Sequence, residues 1–184
     1  MAQTSITRLA WVAVGITVLD QVTKSAVREY LGDQPYLREE IVIDGFFRLV
    51  HWANTGAAWS LFHGQNALLT IVSLVALLVL FLNRRHFDAH TPLGQLSLGL
   101  IFGGIIGNLT DRINVGHVTD FLYFYVHRRG GGELGFPAFN VADSAICIGV
   151  GLLFILSWKK ESGGAAEDVS LAKPDALASE KAAP

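Results

Sequence analysis

Four apolar stretches, residues 9–27, 67–82, 93–109 and 141–158, divide this 184-residue chain and leave polar connections between them. A helix rises 1.5 Å per residue, so crossing about 30 Å of hydrocarbon takes roughly 17 to 25 residues. Each stretch lies near the lower edge of that window, and a helical turn of flanking sequence completes the span. Half of the chain is hydrophobic (51%), only 16% is charged and the mean hydropathy is +0.41, values that favour a bilayer over water as solvent. The expected fold is mainly α, with four transmembrane helices in a single membrane domain over residues 1–160. The first stretch has no small-residue cleavage site and carries Asp20 and Lys24 near its far end, so it reads as a retained helix, not a signal peptide. Residues 161–184 are Ala-, Ser- and Lys/Glu-rich without periodicity and are expected to form a disordered cytoplasmic tail.

Four spans put both termini on one side and the two long loops, residues 28–66 and 110–140, on the other. Arg84 and Arg85 sit in the short connection, and Arg8, Lys159 and Lys160 flank the outer helix ends. This density of positive charge places the termini in the cytoplasm. Totals alone do not decide it, because the long loops also hold Arg28, Arg38, Arg48, Arg112, Arg128 and Arg129. Within a β-rich insert over residues 36–64, two β-branched or aromatic runs meet at Asp44-Gly45, a strong hairpin signal. A small sheet is expected at the bilayer surface, where Phe46, Phe47, Trp52, Trp59 and Phe62 suit the interface. Gly130 to Gly132 mark a mobile loop.

Several function classes are poorly served. With a net charge of -2 and no block of Lys or Arg, nothing points to nucleic acid, and membrane lipids are the natural surroundings. Cys147 has no second thiol and reads as a small buried hydrophobe. The six histidines are scattered, and there is no HExxH, Cys cluster or phosphate-binding glycine loop, so neither a metal nor another cofactor is expected.

Carboxylates at helix ends are the candidates for chemistry, because charge in hydrocarbon is expensive. Asp20, Asp111, Asp120 and Asp143 qualify. If both long loops share a face, Asp120 and Asp143 reach the same membrane boundary. Like-charge repulsion then raises one pKa, and the pair shares a proton. One carboxylate draws a proton from water while its protonated partner donates to a substrate carbonyl. Singly, each has a plainer reading: Asp143 as a first-turn residue favoured by the helix dipole, Asp120 as a turn or cap. Asp20 and Lys24, spaced i,i+4, read as a structural ion pair. Arg112 suits a lipid phosphate or peptide carbonyl, or merely snorkels to the interface. Asn54, Asn108 and Asn140 lie near element ends, where capping is the usual role.

The blocks Asp20-Gln-Val-Thr-Lys24, Asn54-Thr-Gly-Ala-Ala-Trp-Ser60, Gly103-Gly-Ile-Ile-Gly-Asn-Leu-Thr-Asp-Arg112 with Val118-Thr-Asp-Phe121, and Phe139-Asn-Val-Ala-Asp-Ser144 occur in order. In them the chain resembles lipoprotein signal peptidase, or signal peptidase II, over nearly all of its length before the tail. The resemblance implies an aspartic endopeptidase of the bacterial inner membrane with its active site toward the periplasm. By it, Asp120 and Asp143 are the catalytic dyad, and Asn54, Asn108, Arg112 and Asn140 line the site. It implies a periplasmic β-sheet that cradles the substrate and a loop or short helix over the active site. The implied substrates are diacylglyceryl-modified prolipoproteins, cut on the amino side of the lipidated cysteine, and globomycin-type compounds are the implied inhibitors. Two other classes fit the sequence less well. A proton-relay transporter predicts ionisable residues at mid-span, which all four stretches lack, and a structural scaffold leaves Asn54, Arg112, Asp120 and Asp143 on one side without a reason.

Overall fold

The computed structural model describes residues 7–56, 62 and 64–171, with side chains as far as Trp158. The elements run α1 (Thr7–Leu31), β1 (Glu39–Ile43), β2 (Phe47–Asn54), α2 (Asn66–Leu82), α3 (Pro92–Asn114), β3 (Val118–His127), β4 (Glu133–Gly135) and α4 (Val141–Leu171). The helices overrun the apolar stretches, α4 most of all and α2 least. The chain is thus mainly helical with a small antiparallel sheet. Two helices, Pro92–Asn114 and Val141–Trp158, are long and apolar enough to cross a membrane, and Asn66–Leu82 is apolar but shorter. None of the residues of α2 is buried, so this helix is apolar all round and turns most of its surface away from the protein. Helical backbone continues to Leu171, past Glu161 where the expected tail begins; residues 172–184 lie outside the described residues.

α3 is the central helix, packed against α1 on one side and α4 on another. Small residues let the backbones close. A Cβ at Gly103 would lie 2.7 Å from the Ala13 carbonyl oxygen of α1, and one at Gly149 of α4 would lie 2.7 Å from the Ser97 carbonyl oxygen of α3. Close approach through glycine is the usual device for helices packed without a hydrophobic driving force. Cys147 is a correction: it is exposed on α4. Only the side carrying Ala142, Ala145 and Gly149 meets the rest of the protein, and Cys147 falls off that stripe.

The sheet has the order β1-β2-β3-β4, all neighbours antiparallel. The expected turn at Asp44-Gly45 joins β1 to β2, with Gly45 at φ 71°, a conformation glycine adopts without cost. The aromatic stretch after Asp120 is part of the interior strand β3. Phe46 and Phe62 are exposed, whereas Phe47 and Trp52 are half-buried, Phe47 against Phe124 and Trp52 against Tyr36 and Tyr123. Trp59 lies outside the described residues, and Gly130 to Gly132, the loop expected to be mobile, form the exposed turn between β3 and β4.

Candidate active site

The site forms where three elements meet: the end of β2, the start of β3 and the first turn of α4. Asn54 pairs with Val118 and Trp52 with Asp120, so Asn54 and Asp120 are diagonal neighbours on one face of the sheet. Asn54 Nδ2 donates to Asp120 Oδ2 at 2.9 Å, and its Oδ1 accepts from the Gly56 N–H at 2.9 Å, which fixes the amide's direction. The chain entering α4 docks on β3 through Leu122 and Phe139, whose backbones exchange hydrogen bonds at 2.9 and 3.1 Å. That contact sets α4 beside Asp120.

Asn140 stands immediately before α4 and joins the two carboxylates. Its Nδ2 donates to Asp120 Oδ1 at 2.8 Å, and its backbone N–H donates to Asp143 Oδ2 at 3.2 Å. Asp143 also accepts from Asn108 Nδ2 of α3 at 2.8 Å. Burial, and then the charge of Asp143, push the Asp120 carboxyl up to about 7 from its ordinary value, against the pull of Asn54 and Asn140. A pair in this state holds one proton near neutrality, which suits it to general acid–base chemistry.

Beneath the amides lies a layer of buried charge. Lys24 pairs with Asp20 at 2.8 Å and with Asp111 at 3.2 Å, all three almost completely inaccessible. Asp20 also accepts from the Ala142 N–H at 3.0 Å, so α1 caps α4. Gln21 Nε2 reaches Asp20, Asp111 and the Gly107 carbonyl within 3.2 Å. Arg28 donates to Thr119 Oγ1 at 2.9 Å, and the Thr119 N–H donates to Asp111 Oδ2 at 3.0 Å. Sequence reasoning named Asp111 without a role and missed Gln21, Arg28 and Thr119. Arg28 lies four residues past Lys24, a spacing that signals a shared helix face. Arg112 stands at the edge, its Nη2 3.5 Å from the Gly56 carbonyl, with Asp143, Asp120 and Asp111 the carboxylates acting on its charge. An apolar concavity of about 390 Å³ lined by Phe46, Phe124, Leu134 and Phe136 contains neither aspartate.

The family model described as Signal peptidase (SPase) II matches residues 12–159, which include every residue of this site. The chain belongs to the signal peptidase II family. It is 44% identical to the lipoprotein signal peptidase of Desulforapulum autotrophicum, over 79% of this chain and 88% of that one. It is 40% identical to the lipoprotein signal peptidase of Geobacter sulfurreducens, over 78% and 87% of the two chains. A solved structure described as a bacterial membrane enzyme, determined by the in meso method at 2.3 Å resolution, superposes with a TM-score of 0.66 at 32% identity, covering 84% of this chain and 90% of that one. A second, at 1.9 Å resolution, gives 0.65 at 31% identity, covering 80% and 90%. This family member is accordingly a peptidase and a membrane protein.

Proposed function

We propose that this peptidase removes signal peptides from diacylglyceryl-modified prolipoproteins, cutting on the amino side of the lipidated cysteine, by a water activated between Asp120 and Asp143. One observation carries the reading: a single residue, Asn140, is hydrogen-bonded to both carboxylates. Asp120, pushed up to about 7, holds the shared proton and gives it to the scissile carbonyl. Asp143, in the first turn of α4 with two N–H donors on its carboxylate, takes a proton from water. The water oxygen adds to the carbonyl carbon; the C–N bond then breaks as Asp143 passes the water's proton to the leaving nitrogen and Asp120 recovers a proton from the gem-diol hydroxyl. Arg112 and Asn54 at the rim orient the peptide.

The substrate's two acyl chains hold the scissile bond at the depth of the helix ends, so binding supplies positioning. This reading has α1 to α4 as four spans of a bacterial inner-membrane protein, both termini cytoplasmic and the sheet on the periplasmic side. The apolar, unburied surface of α2 supports it. The test is cleavage of a diacylglyceryl-modified prolipoprotein by the detergent-purified protein and by its Asp120→Asn and Asp143→Asn variants. Each folded variant should lose roughly 10²- to 10⁴-fold in kcat, the range of general acid–base contributions. Near-full activity in either variant, or no cleavage by the wild type, rejects the dyad.

A further inference from the structure

Lys24 is fully buried in α1, and an ammonium has three N–H donors and no acceptor. Its Nζ donates to Asn108 Oδ1 at 2.9 Å and forms ion pairs with Asp20 Oδ2 at 2.8 Å and Asp111 Oδ2 at 3.2 Å. Two partners neutralise the charge. The third is an amide whose other end, Asn108 Nδ2, donates to Asp143 Oδ1 at 2.8 Å.

A primary amide has two unlike ends. Turned over, Asn108 would set its NH2 against the ammonium and its oxygen against the carboxylate, with repulsion at both contacts. The cation on one side and the anion on the other therefore select one orientation. Asn140 Nδ2, 3.2 Å from Asn108 Oδ1, supports the same one.

We propose that Lys24 is a positioning residue for the proposed hydrolysis, holding the Asn108 amide so that its N–H is presented to Asp143. The proposal goes beyond an ion pair that anchors α1, and it rests on the dyad reading above. Both carboxylates keep other donors without Lys24: Asp20 has Gln21 and the Ala142 N–H, and Asp111 has Gln21 and the Thr119 N–H, with Arg28 as an ion-pair partner at 3.8 Å. Asn108 has no second cation on its oxygen among the described residues. The other charged groups acting around Asp143 are Asp20 of α1, Arg112 of α3 and Asp120 of β3.

The variant pair Lys24→Met with Asp111→Asn removes one charge of each sign and leaves Asp20 and Arg28 as a balanced remainder. It is compared with Asp111→Asn, with Asn108→Ala and with all three changes together. The measurements are thermal unfolding in detergent and pH profiles of kcat and KM on the lipid-modified substrate. Loss of Lys24 should lower kcat about ten-fold or more with KM within about two-fold, the pattern of an interaction made in the transition state. The acid limb of the kcat profile should move to higher pH both without Lys24 and in Asn108→Ala. In the Asn108→Ala background, replacing Lys24 should change kcat by less than about two-fold, because residues acting through one contact are not additive. Losses that multiply, or an unmoved acid limb, overturn the proposal. Asn108→Ala leaves Lys24 and its two carboxylates in place, so an unmoved limb there rejects the proposal even where the Lys24 variant does not fold. An active Asp143→Asn variant brings down the dyad reading itself, whereas an inert one beside additive Lys24 and Asn108 effects removes only the role of Lys24.

Discussion

The Asn140 N–H donates to Asp143 Oδ2 at 3.2 Å, and the Asp143 N–H donates back to Asn140 Oδ1 at 3.0 Å. This reciprocal pair is a capping box at the start of α4, with the shorter Asp in place of the usual Glu or Gln. The plainer reading of Asp143 as a first-turn residue is thus compatible with the proposed catalytic one: the bonds that start the helix also aim the carboxylate. Asn140 then reaches across to Asp120 at 2.8 Å, so one side chain serves both the cap and the dyad.

Two substitutions separate those duties. Asn140→Ser keeps an N-cap oxygen but cannot reach Asp120, whereas Asn140→Ala loses both. The Ala variant should be less stable than the Ser variant by about 1 kcal/mol, the usual worth of a cap. Both should lose at least about 10²-fold in kcat, on the scale of general acid–base contributions. Equal unfolding midpoints would remove the cap from the account, and a fully active Ser variant would remove the amide bridge.

Asp120 also makes a pH prediction. Its folded pKa, about 7, lies above its ordinary value, so the unfolded chain releases this proton at lower pH than the folded one. For an acid raised in this way, the contribution to stability is intact below the unfolded value of 3.8 and is lost as pH rises toward about 7. Asp120→Asn cannot ionise, so its melting temperature should gain on the wild type as pH rises from 3.8 toward about 7, and the gain should level off above that. Wild-type activity should fall above about pH 7, as the shared proton is lost. A stability difference that does not change with pH would contradict the assignment of the proton to Asp120.

The legible and illegible parts of this molecule divide along physical lines. The hairpin was readable because Asp44-Gly45 is local turn chemistry between two apolar runs. The strand β3 was not, because the apolar run from Phe121 to Val126 shows no alternation and by periodicity alone suits a buried helical segment equally well. Asp120 and Asp143 stood out because buried charge is rare and costly. The contacts of Lys24 with Asp111 and Asn108 span 87 and 84 positions, and no local pattern announces them. Cys147 was misplaced because an apolar run does not say which of its faces meets protein.

The glycines of α3 offer a packing test. A Cβ at Gly107 would lie 2.6 Å from Asp20 Oδ2, while one at Gly15 of α1 meets nothing within 4 Å. Gly107→Ala should therefore push Asp20 away from α3, loosening both Lys24 and the Ala142 cap, at a cost of about 1 to 3 kcal/mol, as for other overpacked sites. Gly15→Ala should be neutral or slightly stabilising. Thermal unfolding of the two variants decides it, and equal midpoints would contradict the close approach.

Arg48 is the clamp of the sheet, and its replacement separates cradle from chemistry. From β2 it bonds Glu39 of β1 at 2.8 Å and Glu133 of β4 at 2.5 Å, and its guanidinium lies 3.9 Å from the centre of the Tyr125 ring. A planar fork can serve two carboxylates and a ring face together, and an ammonium cannot. Arg48→Lys should therefore free β4 and the outer strand β1 while leaving β2 and β3 paired. Neither Asn54 nor Asp120 bonds to Arg48, so on the proposed dyad kcat should stay within about two-fold, while KM rises if the sheet receives the peptide as the family resemblance implies. Hydrogen exchange should quicken in residues 39–43 and 133–135 and stay unchanged in 118–122. A fall in kcat at constant KM would mean instead that Arg48 acts on the carboxylates through Tyr123 or Tyr125, and the sheet would then belong to the catalytic machinery and not only to substrate binding.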